Sequence, residues 1–110
     1  MIDDTLRKIE SQIQSAEAIP PDRKQELVQL LAKLKAEVAQ LPEKHAEEAQ
    51  SIAGFTQVST HEATRETPNP QLLDLSLQGL RSSVEGFEQT HPRLVQIVNS
   101  ISNTLSNLGI

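Results

Sequence analysis

Apolar side chains recur along this chain at alternating steps of three and four residues, a spacing that returns them to one side of a helix and makes a stripe another helix must cover. The stripe is written four times: Ile2, Leu6, Ile9, Ile13 and Ala16; Leu27, Leu31, Leu34, Val38 and Leu41; Leu73, Leu77, Leu80, Val84 and Phe87; and Leu94, Val98, Ile101, Leu105 and Leu108. Val28 and Leu30 widen the second stripe, Leu72 the third, and Val95 with Ile97 the fourth, as expected of helices that touch more than one neighbour. The pattern predicts an all-α fold.

Prolines set the boundaries. Pro20 and Pro21 stop the first helix and open the second, and so short a connection implies an antiparallel hairpin. Asn69-Pro70 reads as a cap followed by a first-turn proline, and His91-Pro92 repeats the device, so the third and fourth helices make a second hairpin. Between the hairpins, Pro42 ends or kinks the second helix. A weakly apolar helix carrying Ala46, Ala49, Ile52 and Ala53 follows, and residues 54–69, rich in Thr and Ser, read as a linker or a frayed continuation of it. The chain is thus expected to form one helical domain, 1–110: a hairpin over 2–41, a weak helix and linker over 42–69, and a hairpin over 70–110. Gly109 supplies a helix stop, with Ile110 folding back on Leu105.

From Leu94 to Ile110 no side chain is charged; the polar positions are Gln96, Asn99, Ser100, Ser102, Asn103, Thr104, Ser106 and Asn107. The plain reading is an ordinary surface helix. The preferred one is a helix covered on both sides, by the bundle and by another subunit, where uncharged groups avoid the cost of burying ions. Self-association through the third and fourth helices, using the stripes Leu73, Leu77, Leu80, Val84, Phe87 and Leu94, Val98, Ile101, Leu105, Leu108, would then complete the bundle, with a dimer as the first expectation. Ser76, Gly79, Ser83 and Gly86 form a ribbon of small side chains beside the third stripe, either a permissive solvent face or a place of close helix approach.

Composition narrows the function classes. The chain has 10 basic and 15 acidic residues, a net charge of -5, so a phosphate backbone is repelled overall and no nucleic-acid partner is expected. Phe55 and Phe87 are the only aromatic side chains besides histidine, so stacking platforms for bases are missing. Without cysteine there is no disulfide or thiolate site, which suits a reducing cytoplasm. The start of the chain does not read as a signal peptide, and no apolar run approaches a membrane span. No membrane partner is expected.

Candidate chemistry is sparse. Glu88-x-x-His91, with Glu85 one turn earlier, matches half of the unit that holds metals in carboxylate bundles, and a ligand- or metal-binding bundle using these three residues is the alternative reading. The stronger reading makes His91 a helix cap, alongside Asn69 and Gly109, since it precedes a proline. His45 among Glu43, Glu47 and Glu48 reads as a solvated face, and His61 has no expected role. No nucleophile elbow or glycine-rich phosphate loop is present among four glycines, so neither catalysis nor a cofactor is expected.

Over Val84–Ile110 the chain resembles a bacterial family of small proteins catalogued as a domain of unknown function (number 4404), by Phe87-Glu88, His91-Pro92 and the closing Leu108-Gly109-Ile110. The resemblance implies a helical bacterial protein of about this length and supplies no activity. The function expected is that of a non-enzymatic homo-oligomeric module, structural or regulatory, with an unknown protein as a further partner.

Overall fold

The computed structural model describes residues 2–108, so the helix stop expected at Gly109 and the contact of Ile110 with Leu105 lie outside the described residues. Five helices follow one another: α1 (Ile2–Ser15), α2 (Pro21–Ala39), α3 (Ala46–Thr64), α4 (Pro70–Ser82) and α5 (Pro92–Leu108), with single 3₁₀ turns at Glu43–His45 and Glu85–Phe87. No strand occurs among the described residues, and the fold is all-α. α1 packs on α2 and α3, α2 on α5, and α4 on α3 and α5, while α3 also reaches α5. The result is a closed bundle of 38 × 24 × 22 Å.

All four apolar stripes turn inward. Ile9, Leu34, Ile52, Leu80, Leu94, Val98 and Leu105 are wholly buried, and one continuous aliphatic core joins α1 to α5. The boundary residues act as their chemistry dictates. Asn69 Oδ1 accepts a hydrogen bond from the Leu72 amide at 3.1 Å, and Pro21 and Pro70 open α2 and α4, where a missing amide hydrogen costs nothing.

The middle of the chain departs from expectation. Of the two readings of residues 54–69, a linker or a frayed continuation of the weak helix, the helical one holds as far as Thr64, but without fraying: α3 runs unbroken to that residue and is the helix that α1, α4 and α5 all touch. Its buried stripe starts on apolar residues, Ala49, Ile52 and Ala53, and continues on hydroxyls, Thr56, Ser59 and Thr60. Each threonine returns its hydroxyl to the carbonyl four residues back: Thr56 to Ile52 at 2.7 Å, Thr60 to Thr56 at 2.8 Å and Thr64 to Thr60 at 2.7 Å. A threonine bonded in this way hides its polar atom and offers its methyl group to the neighbour, so it packs much as valine does. The linker boundary expected at Gly54 is helical too. A Cβ placed there would meet nothing within 4 Å. Gly54→Ala should therefore raise stability by about 0.5–1 kcal/mol through helix propensity, read as a shift in the urea midpoint.

The third stripe also outlasts its helix. α4 ends at Ser82, and Val84 and Phe87 stay buried because the 3₁₀ turn after it, with the Phe87 amide donating to the Val84 carbonyl at 3.0 Å, keeps them on one side.

Candidate interaction surface

The second half of α3 has its polarity reversed. Thr56, Ser59 and Thr60 face the core, whereas Phe55 and Val58 stand 39 % and 48 % exposed. Beside them on α4, Leu72 and Leu75 are 42 % and 55 % exposed. These four form an apolar strip along the seam of the α3–α4 hairpin, and they are the exposed large hydrophobic residues among those described. Large side chains are about half uncovered here, whereas the other large apolar residues among those described are buried or partly buried.

Gly79 makes the strip possible. The Phe55 ring lies directly over it, and a Cβ at that position would collide with three atoms of the ring. Close helix approach was one of two readings of the small-residue ribbon; what lies on the bare backbone of Gly79 is a side chain, the Phe55 ring. The other members behave differently. Ser76 is buried with its hydroxyl donating to the Leu73 carbonyl at 2.8 Å, Ser83 is half-buried with its hydroxyl on the Leu80 carbonyl at 2.6 Å, and Gly86 lies in the 3₁₀ turn with open space where a Cβ would stand. The ribbon stops with α4.

The residues expected to mediate self-association have another location. Leu73, Leu77, Leu80, Val84, Phe87, Leu94, Val98, Ile101 and Leu105 all lie inside the chain's own core, with Leu108 half-buried against it, so none presents a face to a second copy. α1, α2 and α3 already supply their cover. The uncharged helix α5 divides in the same manner. Ser102 and Thr104 are buried by the chain itself, with the Thr104 hydroxyl donating to Glu26 Oε1 of α2 at 3.2 Å. Gln96, Asn99, Ser100, Asn103 and Asn107 make an exposed polar stripe, so within one chain the outer side of α5 is open.

Glu85, Glu88 and His91 do not converge. Both carboxylates are exposed, and among the described residues no three of His, Asp and Glu are grouped as metal ligands would be. His91 starts α5 through its backbone, its carbonyl accepting from the Val95 amide at 3.4 Å. Its side chain has a second task. Nδ1 pairs with Thr90 Oγ1 at 3.1 Å, and the ring meets buried Phe87 edge-on at 5.5 Å. His45, expected to be solvated, meets the same ring edge-on at 5.0 Å and holds Glu48 at 3.3 Å. Phe87 thereby bolts the turn before α5 to the turn before α3, a junction that the distance between His45 and His91 in sequence conceals.

One concavity of about 330 Å³ lies among the start of α1, the end of α2 and the start of α3, lined by Leu6, Val38 and Ala46 with Asp3 and Lys35 at its edge. No described helix is long and apolar enough to cross a membrane.

The model of the family described as "Domain of unknown function (DUF4404)" matches residues 2–110. The chain belongs to that family. The match reaches well beyond the carboxy-terminal residues that carried the resemblance and takes in α1, α2 and α3, so the family model covers the strip-bearing seam as well. Neither a curated protein nor a solved structure matches this DUF4404 chain.

Proposed function

We propose that this DUF4404 protein is a non-enzymatic interaction module, structural or regulatory in role, that works as a cytoplasmic homo-oligomer with the dimer as its smallest form. The apolar strip of Phe55, Val58, Leu72 and Leu75 carries this reading. A chain that buries or partly buries its other large apolar side chains among the described residues, and even fills part of its core with hydroxyls, leaves these four about half in water at a cost of about 25 cal/mol per Å² until another surface covers them. The reactive side chains are spread over solvated faces, which favours binding over catalysis, and the acidic balance favours a protein partner over nucleic acid.

Multi-angle light scattering tests it. The mass should exceed the 12.1 kDa of one chain and rise with concentration through the micromolar range. A mass fixed at one chain up to hundreds of micromolar would remove the homo-oligomer from the reading.

A further inference from the structure

Resting on that reading, we propose that the strip's occupant is a second copy of this chain, seated strip against strip about a two-fold axis passing between Val58 and Leu75. Register supplies the first argument. The Phe55 ring over Gly79 aligns the antiparallel helices so that Val58 stands level with Leu75 and Ser76, with Phe55 and Leu72 about one turn away at opposite ends. The strip thus has a middle and two apolar ends, and a two-fold axis through its middle lays apolar surface on apolar surface along its whole length.

Charge supplies the second argument. The chain carries a net -5, so two copies repel wherever their acidic faces meet. The seam is the face where they do not. Ser51, Gln71, Gln78 and Ser82 flank it uncharged, and the ions at its end, Glu62 and Arg65, neutralise one another at 2.9 Å. Asp74 and Arg81, one step further round α4, are again of opposite sign. A basic partner finds no cluster of carboxylates here and an acidic one no lysines, whereas a copy of the same face, on which Glu62, Arg65, Asp74 and Arg81 sum to zero, brings no net charge against it.

Area supplies the third. The four side chains leave roughly 300 Å² of apolar surface uncovered, the size of a functional patch on a small monomer, and the uncharged rim extends the face over about 20 Å of both helices. A stable pair buries about 800 Å² on each partner, so the strip supplies the apolar centre, the uncharged rim has to supply the rest, and the pair it closes is a weak one.

The chain has no cysteine, so one introduced thiol reports a single position. Leu75→Cys, next to the axis, should form a disulfide-linked dimer under mild oxidation at micromolar protein, at least tenfold faster than Asn103→Cys on the exposed side of α5. Val58→Lys should return the mass to 12.1 kDa and melt where wild type diluted to the monomer does, since Val58 is already half in water within one chain. A dimeric mass that survives Val58→Lys, or equal cross-linking at both cysteines, overturns the strip as the interface while leaving homo-oligomerisation standing. A monomeric wild type overturns both. Flotation of a monomeric wild type with phosphatidylcholine vesicles, lost in Val58→Lys, would overturn the second copy in favour of a lipid surface.

Discussion

Ser102→Lys should abolish the native fold, whereas Asn103→Lys, one residue further along α5, should leave it intact. Ser102 is wholly buried, and its hydroxyl has no hydrogen-bond partner among the described residues. An ammonium group there loses its hydration without gaining a carboxylate, which costs several kcal/mol. A domain of this size has about 5–15 kcal/mol in all. Asn103 is exposed, and lysine is the better helix former, so its replacement should shift stability by no more than about 0.5 kcal/mol. Ser102→Ala is the matched control. Removing an unpaired buried hydroxyl should leave stability unchanged or raise it by up to about 1 kcal/mol. Urea unfolding followed by circular dichroism reads all three, and equal effects of the two lysines would contradict the buried face assigned to α5.

The two phenylalanines should separate just as sharply. Phe87→Ala should cost about 3–5 kcal/mol, the loss expected for a buried ring whose space the surrounding helices cannot close. Phe87 is 4 % exposed and stands between the edges of His45 and His91 at 5.0 and 5.5 Å, so its removal also frees the turn before α3 from the turn before α5. His45→Ala and His91→Ala each remove one edge contact and should cost about 0.5–1.5 kcal/mol. Phe55→Ala removes a ring that is 39 % exposed and lies on the surface of α4, so its loss should be nearer 1 kcal/mol. The same urea titration ranks them. A Phe55 effect as large as that of Phe87 would mean that the seam is part of the core.

These contrasts show what the amino-acid pattern could and could not disclose. The stripes of α1, α2, α4 and α5 were legible because leucine, isoleucine and valine at helical spacing have no other stable arrangement in water, and the stripe residues from Leu6 to Leu34 and from Leu73 to Leu105 are inside, with Ala16 partly buried against the core. The second half of α3 was illegible for a physical reason. Its core contacts are made by Thr56, Ser59 and Thr60, whose hydroxyls read as polar until the backbone carbonyl that accepts from each threonine is known. Without that helical frame, Phe55 and Val58 fall in a Thr- and Ser-rich stretch with no apolar stripe to join. A helical continuation puts them at i and i+3, and Leu72 and Leu75 repeat that step on α4, which is the signal that could have revealed the seam. The missing charges of α5 were half an intramolecular matter, since Ser102 and Thr104 are covered by the chain itself. Phe87, His91 and Pro92, which carried the family resemblance, join the turn before α5 to the rest of the bundle.

The chain contains no tryptophan, so Leu75→Trp places a single reporter at the middle of the strip, at the most exposed of its four positions. If two copies close over the strip, its emission at nanomolar protein should be that of a solvated indole and should move to shorter wavelength, saturably, as concentration rises through the micromolar range. An emission maximum that stays put over that range, whether solvated or buried, would contradict the account.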